Sequence, residues 1–170
     1  MAPRMPAKGI DWFKPNRGAA EGRHKLADIA LGIEKSPALD KIFPAKAERA
    51  KVGQVKVEVA VGPGYAYIDD EDGTLVLSQD YLATGDKLSL YLDFCHELTH
   101  VRQFREGKDL YNRRYAYVDR PTEIEAYRVA VDEARRLGMN DAEILEYLHV
   151  EWVTKEQLHR LARSCGVAVE

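Results

Sequence analysis

The fold is decided by residues 88–104, which read LSLYLDFCHELTHVRQF. Apolar side chains occur almost all round a helix drawn through this stretch, which is typical of a helix buried in a protein interior. The stretch contains His96, Glu97 and His100 in the spacing H-E-x-x-H. Residues four apart lie one above the other on a helix, so the two imidazoles can point at a common metal ion. Glu97 is rotated by about 100° from His96, so its carboxylate flanks the metal and can accept a proton from a bound water.

The predicted burial makes this spacing informative. Three ionisable groups within five residues are costly in a core unless something compensates their charge, and a divalent metal does so. The competing interpretation is a metal-free helix with two hydrogen-bonded core histidines and one glutamate at the surface. The ligand types favour zinc, although two histidines and a carboxylate also bind iron, cobalt or nickel.

A catalytic zinc site has three protein ligands and one open position. The next predicted helix begins at Pro121, ends at Gly138 and contains two candidate glutamates. Glu123 lies on the apolar face of this helix, where a carboxylate needs a partner that a metal would provide. Glu125 lies on the charged face and can pair with Arg128 at i,i+3. The helical phase therefore favours Glu123 as the third ligand.

The segments before the motif helix predict one further helix and three strands. Residues 19–34 carry apolar side chains at helical spacing and predict an N-terminal amphipathic helix. Apolar residues alternate with other residues over 55–61, which predicts a half-buried strand. Two further strands are expected at 65–68 and 74–77, joined by an Asp-Gly hairpin turn. We expect these three strands to form a small antiparallel meander, which makes the fold class α+β.

The two ends of the chain predict an arm and an appendage. Residues 1–18 mix Pro, Gly and Lys without an apolar period and predict a mobile arm. Residues 19–138 would form the metal-binding domain. Residues 139–170 predict a C-terminal helical hairpin packed on the core, with a capping residue before each helix. The hairpin could cover the core, form a homo-oligomer or bind a partner, and the sequence leaves these roles open.

Composition excludes several classes of protein. The formal net charge of −3 argues against a dedicated nucleic-acid binder, and two cysteines in 170 residues exclude a disulfide-stapled mini-protein. No run of 18 apolar residues occurs, so no membrane-spanning helix is expected. The first 18 residues lack the apolar segment of a signal peptide, and we therefore expect a soluble, cytoplasmic protein.

The chain resembles the gluzincin clan of zinc metallopeptidases. The resemblance rests on H-E-x-x-H on one helix and on Glu123-Ile124-Glu125-Ala126 on the next, after 22 intervening residues. It extends over residues 52–138 and includes the order of strand, hairpin and helix. The chain is similar to compact zincin-like domains of bacterial and phage proteins, so the resemblance implies a zincin-like fold.

The resemblance also implies a mechanism. It implies zinc held by His96, His100 and Glu123, a water activated by Glu97, and an edge strand of the sheet that holds an extended peptide. The strand with Leu75 and Leu77 is the candidate for that edge.

Further roles are expected around the ligands. Many members of the clan carry an aspartate four residues after the ligand glutamate, where it braces a zinc histidine; Tyr127 occupies that position here. Either Tyr127 braces a histidine through its hydroxyl or Asp93 does so, and Gln103 also lies near the histidine face. An oxyanion stabiliser often comes from outside the motif in this clan. The candidates in loop 107–120 are Tyr111, Arg113, Arg114, Tyr115 and Tyr117.

These observations predict a zinc-dependent peptidase that acts on a peptide or protein substrate, with Glu97 as the general base. The alternative is a zincin-like regulatory or binding module with little or no general proteolytic activity. An intact Glu97 favours the enzyme, because a module that only binds metal needs no base at this position.

Overall fold

A computed structural model describes residues 9–169 of the chain, which adopt a mixed α+β fold. None of the helices in this part of the chain is long and apolar enough to cross a membrane. The strands are β1 (Lys14–Pro15), β2 (Gly22–Lys25), β3 (Ala30–Leu31), β4 (Lys56–Ala60), β5 (Ala66–Ile68) and β6 (Leu75–Ser78). The helices are α1 (Leu26–Ile29), α2 (Leu39–Ile42), α3 (Lys46–Ala50), α4 (Gln79–Thr84), α5 (Lys87–Arg105), α6 (Pro121–Arg136), α7 (Asp141–Leu148) and α8 (Lys155–Ser164).

The central helix, α5, confirms the buried motif helix. Its N-terminus is capped by Asp86, whose side chain accepts a hydrogen bond from the Ser89 backbone N–H. Most of its residues are buried, and it packs against α6. Helix α6 begins with Pro121 at its first turn and is followed by Gly138 in the left-handed region at φ 89°. Both helices therefore lie where their local signals place them.

The prediction of a three-stranded antiparallel meander is wrong. The main sheet has four strands in the order β2-β4-β6-β5, and β4 pairs parallel with β6. Only the β5–β6 hairpin confirms the expected antiparallel pairing. All four residues of β6 are buried, so the position between two neighbouring strands stabilises this apolar strand. The alternating pattern of β4 fixes its buried face but not which strand lies beside it.

The predicted N-terminal helix over 19–34 is also wrong. Leu26, Ile29, Ala30 and Ile33 are buried, but they lie on the single turn of α1, on β3 and on a 3-10 turn at Ile33–Lys35, after the strand β2. Gly22 and Gly32 have φ values of 121° and 88°, which a continuous right-handed helix does not contain. The apolar residues have a helical spacing in the sequence, but in the structure they lie on separate short elements and not on one helix.

The predicted arm over 1–18 lies partly outside the described residues, which begin at residue 9. From there the chain belongs to the core, so the prediction is wrong for residues 9–18. Ile10 and Phe13 are fully buried, and β1 pairs with β3. The centroid of the Phe13 ring lies 5.4 Å from that of Tyr91 and 6.0 Å from that of Phe94, both on α5. A single aromatic residue therefore holds this segment on the core, although the segment has no apolar period.

The C-terminal helices α7 and α8 confirm the predicted hairpin. Each begins with a capping box, formed by Asn140 with Glu143 and by Thr154 with Gln157. Their apolar side chains join the same core cluster as α5 and α6. The loop between α7 and α8 forms one wall of the cleft described below.

Candidate metal centre

Three side chains from α5 and α6 converge at the centre of the molecule. His96 and His100 place their Nε2 atoms 3.1 Å apart, and Glu123 Oε2 lies 3.1 Å and 3.3 Å from them. All three residues are buried. Ligands 2.0–2.1 Å from a tetrahedral zinc ion are separated by about 3.3 Å, so the triangle has the size of one face of such a site. The group can therefore hold a metal ion.

The surroundings of Glu123 favour a cation. Its Oε2 atom is buried and has no partner with hydrogen-bond geometry among residues 9–169, although both ring nitrogens lie close by. Burial by itself would raise the pKa of Glu123, but contacts with His100 and His96 hold it well below its usual range. Burial would lower the pKa of His100, but Glu123 outweighs this effect and raises it to about 9. A carboxylate so close to two imidazoles favours positive charge at this point.

Gln103 fixes the orientation of His100. The Gln103 amide nitrogen donates to the Thr122 carbonyl at 3.0 Å and to Glu125 Oε1 at 2.7 Å. With the amide nitrogen committed to two acceptors, the Gln103 oxygen faces His100 Nδ1 at 2.7 Å and must accept its proton. In the neutral ring the proton is thereby assigned to Nδ1, which leaves the Nε2 lone pair directed at the other two candidate ligand atoms.

Glu125 supports this arrangement and is not part of the ligand group. It accepts a hydrogen bond from Arg102 at 2.8 Å as well as from Gln103. The sequence predicted an ion pair between Glu125 and Arg128, but the Arg128 side chain donates to the Ser164 carbonyl instead. The i,i+3 spacing of His100 and Gln103 indicated in the sequence that these two residues could contact each other. Their contact with Glu125 joins two helices, and no sequence pattern indicated it.

The other two expected supports make different contacts. The Tyr127 ring packs on the His96 ring with centroids 4.2 Å apart, while its hydroxyl lies 2.7 Å from the Tyr117 hydroxyl. Asp93 accepts hydrogen bonds from the hydroxyls of Tyr81 and Tyr147. The Nδ1 atom of His96 is buried and has no hydrogen-bond partner in the described structure. His96 is therefore positioned by ring packing, and His100 by a hydrogen bond.

Glu97 lies beside the three ligands. Its Oε1 atom is 4.0 Å from His96 Nε2, and its Oε2 atom is buried and has no hydrogen-bond partner in the described structure. Burial raises the pKa of Glu97, and the imidazoles of His96 and His100 oppose this rise. A carboxylate with a raised pKa and one oxygen that no described residue occupies is suited to accept and return a proton.

The metal centre opens into a cleft with two lobes. The larger one, here called the strand lobe, has a volume of 700 Å³ and is bordered by β5 and Glu123. The smaller one, here called the tyrosine lobe, has a volume of 330 Å³ and extends along the N-terminal half of α5 to Asp93. The two lobes share six lining residues, namely Tyr65, Ala66, His96, Glu97, Tyr117 and Trp152. A substrate in the cleft could therefore extend to both sides of Glu97.

Two of the five oxyanion candidates line this cleft. Tyr111 borders the strand lobe and donates its hydroxyl proton to the Ile68 carbonyl, whereas Tyr117 borders both lobes. Arg113, Arg114 and Tyr115 are exposed, and the structure does not bring them to the cleft.

The strand expected at the sheet edge is in fact internal. Leu75 and Leu77 lie on β6, which is paired with β4 on one side and with β5 on the other. That prediction was wrong because β6 precedes the motif helix in sequence but lies inside the sheet. The edge next to the cleft is β5, and Ala66 and Tyr67 of this strand line the strand lobe.

No known family model, curated protein or solved structure matched the chain. The interpretation of the site therefore depends on its own geometry.

Proposed function

We propose that this protein is a zinc-dependent peptidase of the zincin-like type, which hydrolyses peptide bonds in the two-lobed cleft. One observation carries the proposal. His96, His100 and Glu123 converge at the spacing of a tetrahedral zinc site, beside Glu97 and at the floor of an open cleft. Zinc at this position would supply an activated water and a Lewis acid for the scissile carbonyl.

Glu97 moves the proton in this proposal. The Glu97 side chain lines both lobes of the cleft, and in this proposal its carboxylate accepts a proton from the attacking water and later delivers it to the leaving amine. Burial raises the pKa of Glu97, which makes the carboxylate a stronger base towards the attacking water.

Tyr117 is the better placed of the two oxyanion donors. The Tyr111 hydroxyl already donates to a backbone carbonyl. The Tyr117 hydroxyl can accept from Tyr127 and keep its own proton for the developing oxyanion. Burial raises the pKa of Tyr117 well above its usual value, so the hydroxyl stays protonated.

The edge strand β5 offers a backbone for an extended substrate. The Ser78 N–H donates to the Tyr65 carbonyl, so Tyr65 directs its backbone towards β6 and the next residue, Ala66, directs its own away from it. The Ile68 carbonyl is already bonded to Tyr111. The Ala66 backbone groups can therefore pair with a peptide laid along β5.

The first experiment combines metal analysis with peptide cleavage. Protein purified without added metal, and the Glu97→Gln variant, are assayed for zinc by elemental analysis and for cleavage of a mixed peptide library by mass spectrometry. We expect about one zinc per chain in both proteins, and a loss of at least about a hundredfold in cleavage rate with Glu97→Gln.

A Glu34→Gln variant is the matched control, because Glu34 is exposed and lies outside both lobes, and we expect its zinc content and cleavage to be unchanged. A chain that neither contains zinc nor can be reconstituted with it would contradict the proposal. Zinc binding without any cleavage by the unaltered protein would favour the regulatory or binding module instead.

A further inference from the structure

The tyrosine lobe is a cavity with aromatic walls next to the proposed catalytic centre. Its walls are formed by Tyr65, Tyr81, Tyr117, Tyr127, Tyr147 and Trp152. The Tyr65 ring contacts Tyr81 at 5.1 Å and Trp152 at 5.9 Å, and Tyr117 contacts Trp152 at 5.8 Å. Aromatic faces attract a cation that lies within about 6 Å of the ring centre.

The floor of this cavity carries a carboxylate held from two sides. Tyr81 and Tyr147 both donate hydroxyl protons to Asp93, one to each carboxylate oxygen. Each oxygen keeps further acceptor capacity for an incoming N–H group. Asp93 is partly exposed to the cavity although it is surrounded by protein. A carboxylate built into an apolar wall in this way is suited to bind a cation of matching size.

Carboxylates are the most numerous charged groups in the lining of the tyrosine lobe. Asp86, Asp93, Glu97 and Glu146 all line the tyrosine lobe, and no Lys or Arg of the described chain does so. Glu97 is 6% exposed, and its Oε2 atom has no hydrogen-bond partner among the described residues. Away from the proposed zinc ligands, the cavity thus presents carboxylates that no lysine or arginine of the described chain compensates.

Asp93 lies close to Glu97 on the same helix, so the cavity adjoins the proposed site of peptide cleavage. Asp93 precedes Glu97 by four residues on α5, which separates them by about 6 Å along the helix axis. A group bound at Asp93 would therefore belong to a residue next to the peptide bond that is attacked by the water that Glu97 deprotonates.

We propose that the tyrosine lobe binds a positively charged group of the peptide, either a Lys or Arg side chain or a free amino terminus, through Asp93 and the aromatic walls. This proposal rests on the proposed peptidase function, because the lobe is assigned as a substrate subsite by its opening onto Glu97. It identifies the substrates as peptides with a cation next to the scissile bond.

The test measures peptide binding separately from cleavage. Three peptides of equal length and otherwise identical sequence are titrated calorimetrically into the zinc-loaded Glu97→Gln chain. The first is acetylated and contains arginine, the second is acetylated and contains citrulline in its place, and the third contains citrulline with a free amino terminus. We expect at least one charged peptide to bind about tenfold more tightly than the acetylated citrulline peptide, and the stronger of the two identifies the source of the cation.

The variant Asp93→Asn, added to Glu97→Gln, should reduce this difference to less than about threefold. Asp80→Asn is the matched control, because Asp80 is exposed and lies outside both lobes, and it should keep the full difference. If Asp93→Asn does not fold, the comparison of arginine with citrulline in the parent chain still decides the question. Equal affinity for all three peptides would overturn the proposal.

The same peptides, offered to the unaltered chain, separate the two proposals. Cleavage at equal rates with and without the charge would overturn the cation subsite and leave the peptidase intact. Absence of zinc and of cleavage would overturn the peptidase, whereas the binding difference is measured without any turnover.

Discussion

Gln103 holds His100 in the orientation that the proposed zinc site requires. Its amide is fixed by Thr122 and Glu125, and it accepts the Nδ1 proton of His100. We expect Gln103→Leu to weaken zinc binding by about 10- to 100-fold, because the ring loses its hydrogen-bonded support. Competition with a chelator of known zinc affinity measures the change.

The control for this substitution is Gln54→Leu, which changes an exposed glutamine outside the cleft and should leave zinc affinity unchanged. If Gln103→Leu folds and binds zinc as tightly as the unaltered chain, the positioning role is wrong.

At the scale of elements, the turn at Gly32 distinguishes the structure from the helix predicted over 19–34. Gly32 has φ 88°, and a Cβ at this position would overlap the Trp12 carbonyl oxygen. We therefore expect Gly32→Ala to lower the free energy of unfolding by at least about 2 kcal/mol. In a continuous helix the same change would stabilise the protein by about 1 kcal/mol, so the two structures predict opposite signs.

Chemical denaturation of Gly32→Ala measures the sign directly. Gly18→Ala serves as the reference, because Gly18 lacks a positive φ and a Cβ there would meet no atom within 4 Å. We expect it to change the free energy of unfolding by less than about 0.5 kcal/mol. A stabilised Gly32→Ala would mean that the β1–β3 region is described wrongly.

The elements differ in how far local sequence determines them. Helices α5 to α8 could be predicted because periodicity, capping residues and the glycine after α6 all act within a few residues. The ligand group followed from the i,i+4 spacing of two histidines and the helical phase of Glu123. The order of the strands could not be predicted, because β4 and β6 pair in parallel across the intervening β5 hairpin. The tyrosine lobe could not be predicted from the sequence either, because its aromatic walls come from five separate segments of the chain.

At the scale of the whole molecule, α5 and α6 form both the centre of the core and the ligand group, so folding and site chemistry are coupled. In the metal-free protein the pKa of His100 is raised to about 9, so His100 contributes stability that is fully present below its unfolded pKa of about 6.5. That contribution is lost as the pH rises through 9. The lowered pKa of Glu123 contributes stability that is present above its unfolded value and lost in acid.

We therefore expect the metal-free chain, prepared with a chelator, to lose thermal stability as the pH is raised from about 6.5 to 9. A zinc ligand must present a neutral imidazole, so the zinc-loaded chain should lose less stability over the same range, and zinc binding at pH 7.5 should release protons. Scanning calorimetry with and without zinc measures the first effect, and titration calorimetry in buffers of different ionisation enthalpy measures the second. His100→Gln removes the titrating ring and should flatten the pH profile of the metal-free chain, whereas His159→Gln, outside the site, should not. Equal slopes for the zinc-loaded and metal-free chains would show that the imidazole pair does not couple folding to the metal.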